Sequence, residues 1–466
     1  MSIDSKQAEL LATDRAHWIH PVAPLVQHEQ RGARIWASAD GIHLTDMDGK
    51  RVQDAFSGLW CVNVGYGQQS VVRAAQEQMA RLPYATGYFH FASEPAIRLA
   101  GRLVELAPEG LTRVMFGQSG SDAVDTAIRT VRYYFNAIGQ PSKKHFIALQ
   151  RGYHGSTATG SGLTALPVFH RFFDVPGAEQ HHLPSPYAYR HESGPDEAAV
   201  LRATVAALEA KVAQLGAGNV AAFICEPIQG SGGVVIPPPG FLKAMREACD
   251  RLDILLIVDE VITGFGRTGP LFACGGEGVT PDLMTMAKGL TAGYAAMSAT
   301  MVTEKIYQAI AAAGADGTPF GHGSTYAGHP VSAAVANAVL DLYLDGGLLA
   351  NGQKVGRYFE QRLKELEALP CVGEVRVRGL LGAVELVADK ASKARPEPAL
   401  RFGQRVLEEA LERGLVFRAF GDDILGFAPS LNYTEADVDV LIERLRGAIE
   451  HVLAQTVQAS ATAESA

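Results

Sequence analysis

Cysteine is scarce: five stand in 466 residues, at 61, 225, 249, 274 and 371, with no Cys-x-x-Cys among them. That spacing offers neither a disulfide framework nor a thiolate metal site, and it points to free thiols in a reducing compartment, with no metal expected. Clusters of basic charge are missing as well. Lysine and arginine total 41 against 50 acids, a net charge of −9, and no basic run of the nucleic-acid-binding kind occurs. No stretch approaches the roughly 18 uninterrupted apolar residues of a membrane span. The opening Met1-Ser2-Ile3-Asp4-Ser5-Lys6 lacks the basic-then-apolar layout of an export signal, so a cytoplasmic protein without a membrane partner is expected. No repeat period is visible. With 47% hydrophobic and 20% charged residues, the chain has the composition of a folded protein, long enough for a large domain and a smaller one.

Against that background one run stands out. Ile254 to Val258 is apolar and rich in β-branched residues, and it leads directly into Asp259-Glu260-Val261-Ile262-Thr263-Gly264-Phe265-Gly266-Arg267-Thr268-Gly269. Asp259 therefore sits at the C-terminal end of an expected buried parallel strand, the edge at which open α/β sheets hold their ligands. Pro281 to Ala287 reads as a second short buried strand that delivers Lys288, with Gly289 and Gly293 allowing close backbone approach. A carboxylate and an amine thus reach one sheet edge. Pyridoxal 5'-phosphate needs that pair: a lysine to bind its aldehyde covalently, and an acid to keep its ring nitrogen protonated so that the ring accepts electrons. Upstream, Phe116-Gly117-Gln118-Ser119-Gly120-Ser121-Asp122 reads as a strand end, a Gly/Ser turn and a capped helix start, a place where backbone N–H groups and the helix dipole favour an anion. Val220 to Ile224 is another apolar run, so Glu226 also falls at a strand end.

In order and spacing these segments resemble the class III aminotransferases, the ω-transaminase branch of the fold-type-I pyridoxal-phosphate enzymes, and the likeness extends over nearly the whole chain. It implies an α/β fold: a large domain over 61–330 with a mainly parallel, seven-stranded-type sheet flanked by helices, and a smaller α+β domain built from the N-terminal segment 1–60 and the C-terminal part 331–466. It implies a phosphate cradle at Ser119, Gly120 and Ser121, although the family more often has Asn and Glu where Gln118 and Asp122 stand. Tyr153, in Gly152-Tyr153-His154-Gly155, would stack on the ring, with Val261 against the other face and His154 and Glu226 close by. Thr325, in Ser324-Thr325-Tyr326, would reach the phosphate of a neighbouring subunit, which implies a homodimer or homotetramer with its sites at the subunit interface. Trp60, Tyr88 and Phe89 match positions that line the substrate pocket, and Arg418 matches the arginine that grips the acceptor's carboxylate. His322 and His329 are left as turn histidines.

The implied reaction moves an amino group from an ω-amino acid or primary amine such as β-alanine to pyruvate, with Lys288 also carrying the proton. Taurine or diamine donors, and aminomutase or decarboxylase chemistry on the same fold, remain open. A serine hydrolase does not, because its nucleophile elbow needs glycine where Ser121 stands. Helices are expected at Val331 to Leu344, Tyr358 to Leu369, Phe402 to Arg413 and Glu435 to Leu453, followed by a fraying tail.

Overall fold

The computed structural model describes residues 3–464 apart from residue 422. Its central sheet has seven strands in the order Leu111–Gly117, Ser298–Thr303, Leu283–Met286, Leu255–Asp259, Val220–Cys225, His145–Leu149 and Gln180–Leu183. The last five run parallel, while Ser298–Thr303 is antiparallel to both of its neighbours. The expected mainly parallel sheet thus carries one reversed strand. Its cause is local: the connection from Met286 to Ser298 contains only the short turn Lys288–Leu290, and a parallel return needs a longer crossover, usually helical.

Val220–Cys225 and Leu255–Asp259 are buried at every position, as strands covered on both faces must be. Alternation divides their side chains between two cores. Leu256 and Val258 pack in one, and Leu255 and Ile257 in the other, which Val124, Ala127, Ile128 and Val131 of the helix Gly120–Ala137 complete.

The two ends of the chain meet in a second sheet. Trp36–Asp40, His43–Asp46 and Arg51–Asp54 form an antiparallel meander, and Arg51–Asp54 pairs in parallel with Leu415–Val416. A third sheet orders Val372–Arg378, Leu381–Leu386, Ile424–Phe427 and Arg418–Phe420. The expected helix at Tyr358 begins earlier, at Leu348, and ends at Lys364. Gly352 and Gly356 are buried contact points inside the helix. A Cβ on Gly352 would come within 2.8 Å of Leu431, and one on Gly356 within 3.0 Å of the Gly379 backbone. The expected fraying tail is also corrected: the last helix runs from Glu435 to Glu464, through Ala, Gln and Glu, which favour helix. Residues 465 and 466 lie outside the described residues. No single helix among the described residues is long and apolar enough to cross a membrane.

Arg267, within the run that follows Asp259, is fully buried without a carboxylate partner among the described residues. Its guanidinium donates to Asn63 Oδ1 at 2.7 Å and to the carbonyls of Leu380 and Pro429, which joins three distant segments, and burial pulls it down to about 10.

Candidate active site

The carboxyl ends of Val220–Cys225, Leu255–Asp259 and Leu283–Met286 open onto a cavity of about 250 Å³ whose wall includes Glu226, Asp259 and Lys288. Asp259 is held on three sides. Its Oδ2 lies 2.8 Å from His154 Nδ1, and its Oδ1 accepts from Thr285 Oγ1 and the Val261 backbone N–H, each at 3.1 Å. All of Asp259 is buried, so these contacts fix a carboxylate in a site poor in water. Lys288 presents the opposite case. Its amine has no hydrogen-bond or ion-pair partner among the described residues, and burial pushes it below the ordinary lysine value, against the pull of Asp259. Its backbone has φ = 32°, a conformation that side-chain-bearing residues seldom adopt and that concentrates at functional sites.

Glu226 ties two loops together. Oε1 accepts from the Tyr153 N–H at 2.9 Å and Oε2 from the Gly230 N–H at 3.0 Å, and burial pushes its carboxyl up to about 7. Tyr153 is half-buried and packs edge-on against Phe169 with ring centroids 5.2 Å apart. At the start of Gly120–Ala137, Ser119 Oγ accepts from the Asp122 N–H at 3.1 Å, so its oxygen is used as a helix cap. Asp122 answers by accepting from the Gln118 N–H at 2.7 Å. Gly120 must be glycine, because a Cβ there would meet Val261 Cγ1 at 2.9 Å. Ser121 lines the same wall and accepts from the Ser156 N–H at 3.1 Å.

Ten of the expected residues therefore meet at or around one cavity: Ser119, Gly120, Ser121, Tyr153, His154, Glu226, Asp259, Val261 and Lys288 on its wall, and Arg418 nearby. Four do not. Trp60 is not on the wall; it is buried between Phe56 and Phe420, with centroids 5.2 and 6.2 Å away. The reason lies in the backbone, since Ser57, Gly58 and Trp60 all have positive φ and the tight turn tucks the indole inward. Tyr88 and Phe89 pack on each other at 37% and 81% exposure, and neither lines the cavity. Thr325 is exposed too, on a loop fastened by Tyr84 Oη, which donates to the Thr325 carbonyl at 2.9 Å.

Sequence reasoning missed Thr285 and the pairing of His154 with Asp259, as well as Thr291 and the Ala295 to Met297 stretch of the wall. Thr285 carried a signal, a lone polar residue in the apolar strand Leu283–Met286. The histidine pairing had none, because 105 positions separate the partners. The packing of Trp60 yields one expectation. Gly230 lies directly against its six-membered ring, so Gly230→Ala should overpack the site, destabilise the protein by about 1–3 kcal/mol and change the near-ultraviolet dichroism of the indole. An unchanged melting temperature and spectrum would refute that packing.

The family model for aminotransferase class III matches residues 26–449. The chain belongs to that family. It is 39% identical over 454 residues to a putrescine–pyruvate aminotransferase of Pseudomonas aeruginosa, covering 97% of this chain and 98% of the relative. Among solved structures, a thermostable (S)-enantioselective ω-transaminase from Thermomicrobium roseum superposes with a TM-score of 0.92 at 40% identity, covering 96% of this chain and 99% of the other. The ω-transaminase of Pseudomonas jessenii in complex with PMP gives 0.93 at 36% identity, covering 95% and 98%. Class III aminotransferases depend on pyridoxal phosphate, and this one is a fold-type-I enzyme of that kind.

The cavity fits the cofactor on its own chemistry. An amine without a partner faces a carboxylate held by three donors, across a space bounded by a helix N-terminus where only glycine fits. His154 Nε2 is buried there with no hydrogen-bond partner among the described residues.

Proposed function

We propose that this aminotransferase moves an amino group from an ω-amino acid or primary amine such as β-alanine to pyruvate, releasing an aldehyde or ketone and L-alanine in two separate half-reactions. Arg418 carries the reading. Its guanidinium is half-buried over the Phe420 ring, 5.1 Å from the centroid, and has no ion pair or hydrogen bond among the described residues. Its charge is felt by both Tyr153 and Lys288. A sheltered guanidinium without a carboxylate, beside an amine and an aromatic ring, matches a keto acid's carboxylate in bidentate geometry.

When bound, pyridoxal phosphate supplies an aldehyde and an electron-accepting ring. Lys288 would hold it covalently, and its amine, once free, would carry a proton away from the donor carbon; its lowered affinity for protons suits that role. Asp259 would face the ring nitrogen, and His154 and Thr285 stop its side chain from rotating away. Tyr153 and Val261 would bound the ring, and Gly120 and Ser121 would receive the phosphate. Thr325, Tyr88 and Phe89 face outward in one chain, which supports a homodimer or larger homo-oligomer in which they complete the neighbour's site, with Trp60 behind them. All five cysteines are free thiols, in keeping with a reducing compartment such as the cytoplasm. The Pseudomonas aeruginosa relative favours a second reading, in which the donor is a diamine and the acceptor is again pyruvate.

Arg418→Ala separates acceptor from donor. The half-reaction with pyruvate should weaken by roughly 10- to 150-fold, the worth of a charge-assisted bidentate contact, while the half-reaction with a carboxylate-free amine changes little. Measuring each half-reaction by cofactor absorbance checks this, and equal losses on both sides would remove Arg418 from acceptor recognition.

A further inference from the structure

Near the N-terminus, far in sequence from the residues of the cavity, the helices Ile3–His17 and Leu25–Arg31 bring three potential ligands together. Asp14 Oδ1 lies 2.6 Å from His20 Nε2, and Asp14 Oδ2 lies 3.1 Å from His28 Nε2. One ligand atom from each of the three residues lies within 4.8 Å of the other two, and it is the one such trio of His, Cys, Asp or Glu among the described residues.

The surroundings are inverted relative to ordinary packing. Side-chain exposure is 11% for Asp14, 10% for His28 and 22% for His20, while Trp18, Ile19, Val22, Leu25 and Val26 of the same stretch are all exposed. Polar groups are sheltered where apolar ones would normally be. Asp14 and His20 are joined by a hydrogen bond, and the His20 ring stacks on Trp18 and leans toward His28 at 4.5 Å. His28 behaves differently. Its Nε2 and the facing Asp14 Oδ2 are both buried, and despite their 3.1 Å separation neither makes a hydrogen bond. Two imidazole nitrogens and a carboxylate oxygen thus converge with one pair left unsatisfied, and a cation between them would satisfy both.

We propose that Asp14, His20 and His28 form a divalent transition-metal site of the zinc type that fastens the first helix to the second. Imidazole nitrogen selects Zn²⁺ and its neighbours in the series over Mg²⁺ and Ca²⁺, which prefer all-oxygen shells. Three protein ligands leave a position for water. The carboxylate and two neutral rings cancel one of the ion's two charges, and binding releases any proton held by the rings, with no redox change. Cysteine spacing gave no hint of such a site, because its ligands are histidine and aspartate.

The test uses the tag-free full chain with its cofactor, stripped by a chelator and then titrated with Zn²⁺ at pH 8 by calorimetry, with Co²⁺ as a spectroscopic stand-in. One ion per chain is expected, with a Co²⁺ visible spectrum of nitrogen and oxygen ligation. His28→Ala and Asp14→Asn should each weaken binding by about 100-fold or more, whereas His17→Ala, an exposed ring outside the trio, should not. Amino transfer should be the same in all forms. Since a substitution could loosen the segment by itself, proteolysis supplies a second reading. Wild type and His28→Ala should be cut alike within the first 35 residues without metal, and diverge only when Zn²⁺ is present. The proposal is overturned by substoichiometric binding, by equal affinity in His28→Ala, by a thiolate-type spectrum, or by protection that does not depend on metal.

Discussion

Lys288→Ala is expected to abolish amino transfer with every donor and acceptor while the protein still folds. Among the described residues Lys288 contributes the only amine on the cavity wall, so no neighbour can take over covalent attachment or proton carriage. Its side chain makes no hydrogen bond or ion pair with the described residues, so truncation strands no buried partner there. Alanine also keeps the positive φ that lysine already tolerates, and thermal stability should change little. Borohydride reduction followed by peptide mass analysis should find the cofactor attached at residue 288 in the wild type and nowhere in the variant. Retained turnover would sink the reading of the whole site.

Asp259→Asn should bind the cofactor yet slow the proton shift by about 10- to 1000-fold, the kinetic equivalent of losing roughly 1–3 pKa units of ring-nitrogen stabilisation. This substitution tests charge more than shape. The amide oxygen can still accept from Thr285 and the Val261 N–H, and the amide nitrogen can donate to His154 Nδ1 once that ring carries its proton on Nε2. The fold should therefore survive, and single-turnover spectra with excess amine should isolate the chemical step. A rate equal to wild type would remove the charge of Asp259 from the reaction.

Local signals served well where the local structure decides the outcome. The run Ile254 to Val258 reads as a strand buried on both faces, which brings Asp259 to its end, and Ser119 with Asp122 three positions on is a cap written in neighbouring residues. What the sequence concealed depends on contacts between distant segments. His154 meets Asp259 only after His145–Leu149, Val220–Cys225 and Leu255–Asp259 are laid side by side in the sheet, and the pocket that receives Trp60 is built by Phe420 and Gly230. The helix Leu348–Lys364 likewise rests on distant contacts, since Gly352 packs against Leu431 and Gly356 against the Gly379 backbone. Tyr88, Phe89 and Thr325 are exposed in one chain, and their assignment to the site rests on the proposed homo-oligomer.

The parallel pairing of Arg51–Asp54 with Leu415–Val416 sets a timetable for biosynthesis. Lys50 reaches Glu412, 362 positions away, and the strand holding Arg418 follows directly on the paired residues. Closing so long a loop is slow and brings its reward last. On the ribosome the Asp259 and Lys288 strands can assemble long before residue 415 is made, whereas the early strands near Val52 wait, unpaired at one edge, for the end of translation. A nascent chain could then have its amine and carboxylate in place while the proposed acceptor arginine is still missing, and a ribosome stalled before residue 415 would display an open strand edge, the surface through which chaperones and aggregation compete for unfinished proteins.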